Sequence, residues 1–266
     1  MRVGIITGSG TYSLPGLDAV TDVLVSTRFG DVEVTEGGWG GVDVLHIARH
    51  GAGHARLSNA VNHRANISAL LARGADCVIG LTVCGAVDPE LELGSLMIFD
   101  DLHFSSNRLP DGSLCTLFDG VGVERGHWVY NGSPFCEPLR ELLASAALSS
   151  GAGFQAGGIY GHVDGPRFNT AAEIRQLAAA GVAAVSQTGG PEVVLCGEAQ
   201  LPFALVGYVT DYANGVRPDE PTAPDALLAL IERAREVFLG LLEESLALIS
   251  AGSPQFEPVG TVLMSG

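Results

Sequence analysis

Residues 165–192 read GPRFNTAAEIRQLAAAGVAAVSQTGGPE. A Gly-Pro-Arg-Phe turn leads into a short helical stretch, Ala171–Ala179. A short run of strand formers, Val182–Val185, follows, and the segment closes on a Thr-Gly-Gly-Pro loop. Polar groups at both ends of one compact helix–strand unit point to a site built across it, on an α/β framework.

The same alternation continues in both directions. Apolar runs rich in Val, Ile and Leu at Val3–Thr7, Val42–Ala48, Cys77–Thr82, Leu96–Phe99 and Phe203–Val209 read as further buried strands. Asn59–Ala72, Glu137–Leu148 and about Pro224–Ser250 read as helices, the first stopped by Arg73-Gly74. This pattern implies a single α/β domain over residues 1–252, a central mixed, largely parallel sheet flanked by helices. Residues 105–135, with several glycines, read as a long irregular excursion of the kind that forms site lids or subunit contacts. Residues 253–266 are expected to be a C-terminal tail, poorly ordered or packed on a neighbour.

Composition narrows the function classes. With 266 residues, 47% hydrophobic, the chain can bury a full core. A formal net charge of −16 disfavours nucleic acid as a partner, yet leaves room for a small anion in a local pocket. The five cysteines are scattered without a C-x-x-C pair, so they read as reduced, buried thiols rather than a disulfide frame or a metal site. No apolar run approaches transmembrane length and the N-terminal run is too short for a signal peptide, so a soluble, cytoplasmic chain without membrane contact is expected.

Five segments carry polar groups just past strands. In IITGSGTY, glycines flank Ser9 after the first strand; this is either a tight turn or a phosphate cradle of backbone N–H groups plus a hydroxyl. IARHGAGH sets Arg49 and His50 past another strand, as a guanidinium fork for phosphate or as a surface arginine beside a capping histidine. GLTVCGAV brings Thr82, Val83 and Cys84 into a small-residue turn; without a positioned base, Cys84 reads as structural. SQTGGPE offers Gln187 and Thr188, and YVTDYANG offers Thr210 and Asp211, a proton donor if its surroundings raise its pKa and otherwise a cap. Taken together, an arginine with several hydroxyls suits inorganic phosphate, and a carboxylate further along suits a heterocyclic base. That pocket suits cleavage of an N-glycosidic bond by phosphate.

These motifs, with VNHRANISALLARGA and GPRFNTAAEI in the same order, resemble the trimeric purine nucleoside phosphorylase family, and within it the methylthioadenosine phosphorylase branch, over almost the whole chain. The resemblance implies a nucleoside phosphorylase-like fold, phosphate contacts at Ser9, Arg49, His50, Thr82, Val83 and Thr188, and a base wall at Phe168. It also implies that Asp211 hydrogen-bonds the purine N7 and acts in catalysis, and that Asn169, Gln187 and Ala213 face the nucleoside. Inorganic phosphate would be the co-substrate, with no metal or organic cofactor, and the assembly a homotrimer.

Departures from the pattern bear on the substrate. TDYA replaces the usual TDYD, so Ala213 lacks a second carboxylate, while Asn169 stands where 6-oxopurine enzymes carry glutamate. Gln187 replaces a methionine under the ribose, where an amide either reaches a sugar hydroxyl or merely fills space. His63, usually tyrosine, reads as a packing change, and Trp128 as a reshaped 5′ pocket. The expected reaction is phosphorolysis of 5′-methylthioadenosine or a related 5′-modified nucleoside. The alternatives are 5′-methylthioinosine or another 6-oxopurine nucleoside, a specialised nucleoside of secondary metabolism, or a catalytically silent nucleoside binder.

Overall fold

The computed structural model describes residues 1–118 and 125–265. Residues 119–124, inside the expected excursion, and Gly266 lie outside the described residues. Strand β1 (Arg2–Thr7) pairs in parallel with β4 (Val42–Ala48) on one side and β5 (Cys77–Ala86) on the other. At one edge the antiparallel hairpin β2 (Asp18–Thr27) and β3 (Gly30–Trp39) extends the sheet from β4.

The sheet forks at β5. Strand β12 (Phe203–Tyr212) runs parallel along it, while β11 (Val182–Ser186) joins its C-terminal end antiparallel, through Ala184↔Ala86 and Val185↔Gly85. One arm continues from β11 to β10 (Ile159–His162) and β7 (Asp101–His103). The other continues from β12 to β6 (Leu96–Ile98) and β9 (Phe154–Ala156). Polar strand ends of β5, β11 and β12 are thereby brought to one place.

Helices α1 (His63–Ala72), α2 (Glu137–Ser149), α3 (Ala171–Ala179), α4 (Gly189–Glu198) and α5 (Pro224–Gly252) cover the sheet. Period-two alternation divides the strands between two cores. Val3 and Ile5 pack with Leu139, Leu143, Phe238 and Leu242 of α2 and α5. Ile6 packs instead with Ile67 and Leu70 of α1 and Leu195 of α4. Val78, Ile79, Leu81, Leu205 and Val206 are wholly buried, as expected of strands covered on both faces, each worth roughly 1.5–3 kcal/mol of apolar burial.

The structure corrects several boundaries. The expected helix from Asn59 begins at His63, because Asn62 caps it by accepting from the Ala65 N–H. Strand β5 continues through Val83, Cys84 and Gly85 instead of turning after Thr82, since β12 and β11 supply partners on both sides. The Thr-Gly-Gly-Pro segment, expected as a loop, is the N-terminus of α4, with Thr188 as N-cap and Pro191 in the first turn, where a missing N–H costs nothing. The C-terminal tail folds back on its own chain: β13 (Thr261–Ser265) pairs antiparallel with β8 (Arg125–Val129). Trp128 lies in that ribbon, its indole N–H donating to the Val259 carbonyl, and its ring packs over Gly197 rather than at a 5′ pocket.

Candidate active site

A cavity of about 280 Å3 opens at the fork of the sheet. Its wall includes Ser9, His50, Thr82, Val83 and Thr188 from the expected phosphate set. It also includes Phe168, Asn169, Gln187, Asp211 and Ala213 from the expected nucleoside set. Arg49 alone of the expected residues is absent from that wall.

The phosphate-side residues come from the turn after β1, from within β5 and from the start of α4. Ser9 sits in the turn after β1, closed by the Thr11 N–H donating to the Gly8 carbonyl. Thr82 Oγ lies 2.9 Å from Ser186 Oγ across the fork. Thr188 caps α4 without a hydrogen bond from its own side chain, so its hydroxyl is not engaged by the helix it begins. The positive end of the α4 dipole lies at the same wall, an arrangement that favours an anion.

His50 donates from Nδ1 to the Arg56 carbonyl at 2.9 Å, a partner that can only accept. The neutral ring therefore carries its lone pair on Nε2. Burial, then the charge of Arg49, push its pKa down to about 4, so it is neutral at pH 7. The His54 ring stacks on it at 4.3 Å, and its Nδ1 lies 3.1 Å from the Tyr12 hydroxyl.

Arg49 is anchored behind this wall through three of its five N–H donors. Its Nε–H and one Nη2–H donate to the two carboxylate oxygens of Glu192, both at 2.7 Å, and Nη1–H donates to the Leu81 carbonyl at 2.7 Å. Both side chains are 0% exposed. Gly8 is required here: a Cβ on it would fall 2.6 Å from Arg49 Nη1. The guanidinium thus lies directly behind the Ser9 turn. His63, expected as a packing change, packs against this pair, with Nδ1 3.8 Å from Glu192 Oε1. Neither ring nitrogen has a hydrogen-bond partner among the described residues, and burial followed by the Arg49 charge holds its pKa well below the ordinary value.

At the other end, a bulge aims Asp211. Val209 opposes Cys84 and Asp211 opposes Gly85, so Thr210 is the extra residue in β12. Thr210 Oγ donates to Asp211 Oδ1 at 2.8 Å, and the carboxyl packs against Gly85, where a Cβ would lie 3.1 Å from Oδ2 and push it aside by a few tenths of an ångström. Burial raises the Asp211 pKa, against the lowering effect of that hydrogen bond. Cys84, fully buried with its thiol pKa pushed far up by burial, is structural, as its sequence context implied.

Both ends of the Gln187 amide are engaged, leaving one Nε2–H and one oxygen lone pair toward the cavity it lines. Its Oε1 accepts from Ser58 Oγ at 2.8 Å and its Nε2 donates to the Arg167 carbonyl at 3.0 Å. Beyond the expected set, Ser58, Ser186 and Asn214 also line the cavity. Asn214 follows Ala213 directly, and its Nδ2 donates to the Asn169 carbonyl at 2.7 Å. As single polar residues outside any chemical motif, these three gave no sequence signal. Among the described residues no cluster of His, Cys, Asp and Glu is arranged to hold a metal ion, and no helix is long and apolar enough to cross a membrane.

Comparison with known proteins finds nucleoside phosphorylases among the relatives of the chain. The chain is 32% identical over 253 residues to the 6-oxopurine nucleoside phosphorylase of Pyrococcus furiosus, covering 93% of each chain. It is 38% identical over 216 residues to the S-methyl-5′-thioadenosine phosphorylase of Mycobacterium tuberculosis, covering 80% of this chain and 76% of the other. The methylthioadenosine phosphorylase of Schistosoma mansoni, solved in complex with adenine, superposes with a TM-score of 0.84 at 28% identity, covering 94% of this chain and 92% of that one. The model of the Phosphorylase superfamily matches residues 2–247, and the chain belongs to that family.

Proposed function

We propose that the chain cleaves the N-glycosidic bond of a purine nucleoside with inorganic phosphate, giving free purine and a ribose 1-phosphate, with 5′-methylthioadenosine or a related 5′-modified nucleoside as the substrate. The observation that carries this reading is one cavity with two chemically different ends. Hydroxyls and a helix N-terminus stand at one, and a carboxyl with a raised pKa at the other.

Phosphate, held by Ser9, Thr82, Thr188 and the backbone beside them, attacks the anomeric carbon as the bond to the base breaks. The bond's electron pair moves into the purine, and Asp211, whose pKa burial raises, stabilises or supplies the proton that N7 takes up. His50 Nε2 accepts a hydrogen bond from the phosphate hydroxyl and so fixes its orientation. Most of the rate comes from holding the two reactants in line and from fixed dipoles around the developing charge. Arg49 acts from behind the Ser9 turn, oriented by Glu192. No metal or organic cofactor enters this scheme.

A 6-oxopurine nucleoside is the second reading. Ala213 brings no carboxylate to accept from a 6-amino group, and the relative from Pyrococcus furiosus carries a 6-oxopurine name. The same reading includes a homotrimer, supported by exposed Val129, Leu263 and Met264 on the β8–β13 ribbon with Tyr130 just after it, and a cytoplasmic location, supported by five free, buried cysteines.

The test is release of free base from methylthioadenosine, methylthioinosine, adenosine, inosine and guanosine, with and without phosphate. Phosphate-dependent release, highest with methylthioadenosine, is expected. Release that ignores phosphate, or binding without turnover, would refute the proposal. Sedimentation at micromolar concentration checks the trimer.

A further inference from the structure

Residues 164–169 form an exposed loop that carries Phe168 and Asn169 to the cavity mouth, with Phe168 61% exposed. Its C-terminal half is tied to α3. Arg167 pairs with Glu173 at 2.7 Å, and Glu173 closes a capping box with Thr170. Asn214 holds the Asn169 carbonyl. The middle of the loop is tied from the opposite wall by Gln187 alone among the hydrogen bonds found in the described residues, through the Arg167 carbonyl.

The amide of Gln187 joins three segments at one point. It follows β11 and precedes Thr188, it accepts from Ser58 of the turn after His54, and it donates to the loop. Gly165 closes against this joint. A Cβ there would fall 2.0 Å from Gln187 Oε1 and 2.1 Å from Ser58 Oγ, so the contact forms only over a glycine. A methionine would reach the same place, but it could neither donate to Arg167 nor accept strongly from Ser58.

We propose that Gln187 is a positioning residue that latches the 164–169 loop, and with it Phe168, over the nucleoside, joining the base side of the site to the phosphate side. The part concerning substrate rests on the phosphorolysis reading above; the latch does not. Each of its two hydrogen bonds contributes about a factor of five to closure, so losing both shifts the loop roughly 30-fold toward open. A loop ten to one closed would then be about one to three, and the nucleoside KM would rise roughly fourfold through the smaller competent fraction. The kcat value should change little, because Gln187 touches no reacting atom.

The experiment compares the native chain with Gln187→Met, Ser58→Ala and Gly165→Ala. Gly165→Ala keeps both partners and wedges them apart. Trypsin reads the latch directly, because the chain has no lysine and the Arg167–Phe168 bond contains the carbonyl that Gln187 holds. Without substrate, cleavage at that bond, followed by mass spectrometry, is expected to be about eightfold faster in Gln187→Met and Gly165→Ala, and about fourfold faster in Ser58→Ala, because cleavage tracks the open population. Unchanged cleavage at Arg167 would overturn the latch. Faster cleavage with an unchanged nucleoside KM would overturn its role in positioning. A native chain that performs no phosphorolysis would sink the functional reading, while the cleavage rates would still decide the latch.

Discussion

Replacing Glu192 by glutamine keeps the volume of the side chain and removes its charge, leaving the Arg49 guanidinium without an anion where both side chains are 0% exposed. One amide oxygen can accept from Nε–H or from Nη2–H, but not from both, so one of two 2.7 Å charge-assisted bonds becomes N–H facing N–H. Breaking a buried pair on one side costs about 3–5 kcal/mol, because the remaining charge stays desolvated. For a chain of this size, that corresponds to a fall in Tm of roughly 6–20 °C. Arg49→Ala should cost as much, so its effect on phosphate would be confounded with folding. The informative companion is the double variant Arg49→Met, Glu192→Met, which removes both charges, fills the space, and should recover most of the loss. Urea unfolding followed by circular dichroism measures all three. A single variant within about 1 kcal/mol of native, or a double no more stable than the single, would refute the account.

Acid should destabilise the fold at unusually mild pH. His46, His50 and His162 are held neutral with pKa values of about 4, 4 and 3, each first by burial, and His63 lies well below the ordinary 6.5. Below pH 6.5 the unfolded chain binds more protons, so stability falls as pH falls toward 4. Counting only His46, His50 and His63, the slope approaches roughly 4 kcal/mol per pH unit. Asp211 and Glu198, whose pKa values burial raises, act with the opposite sign but are fewer. Urea midpoints at pH 7.5, 6 and 5 should fall steeply, and a flat profile would contradict the neutral histidines. Asp211→Asn should lower kcat for 6-amino substrates about 10²-fold, the usual contribution of a general acid. Native activity should decline as pH rises through the raised Asp211 pKa, and that alkaline limb should vanish in the variant. Ala213→Asp should raise the ratio of kcat/KM for methylthioadenosine over methylthioinosine by about tenfold or more, through a charged acceptor for the 6-amino group; an unchanged ratio would mean that position 213 does not face the base edge.

The elements legible in the sequence were those with continuous apolar runs. β4 and α3 fall on their expected residues, and β1, β5, β11 and β12 differ from expectation only at their ends. The β2–β3 hairpin left no such signal. Val25, Val32 and Val34 are its buried side chains, and the rest of β2 is largely exposed, so its composition is that of a surface segment. α4 was hidden for a different reason. Gly189, Gly190 and Pro191 read as a breaker, yet at the first turn of a helix their weak propensity costs little, and close approach requires the glycines: a Cβ on Gly190 would sit 2.6 Å from the His162 ring. The tail was missed because β13 is a strand only by virtue of pairing with β8, whose own sequence carries no strand period.

For the site, sequence order was enough to choose residues that share a cavity, but not to say which of their polar atoms remain free. Arg49 and Gln187 make the point in opposite ways. Each was read by what its side chain can donate, and each turns out to be committed to a partner far away in the chain, 143 residues for Arg49 with Glu192 and 129 for Gln187 with Ser58. The consequence for phosphate is specific. Because Glu192 neutralises Arg49, the anion meets little net positive charge from that pair. In the proposed reaction its binding would rest on the Ser9 turn and the uncommitted Thr188 hydroxyl, with the α4 dipole behind them, since the first N–H of α4, that of Gly189, already donates to the Tyr160 hydroxyl at 2.9 Å. That arrangement works in a chain of net charge −16, since fixed dipoles within hydrogen-bond reach act at short range, where the protein's diffuse negative field is screened by salt. It also implies that phosphate affinity should depend only weakly on ionic strength. A phosphate KM that changes less than about twofold between 50 and 300 mM salt fits binding by short-range donors, whereas a steep dependence would mean that long-range charge governs the site.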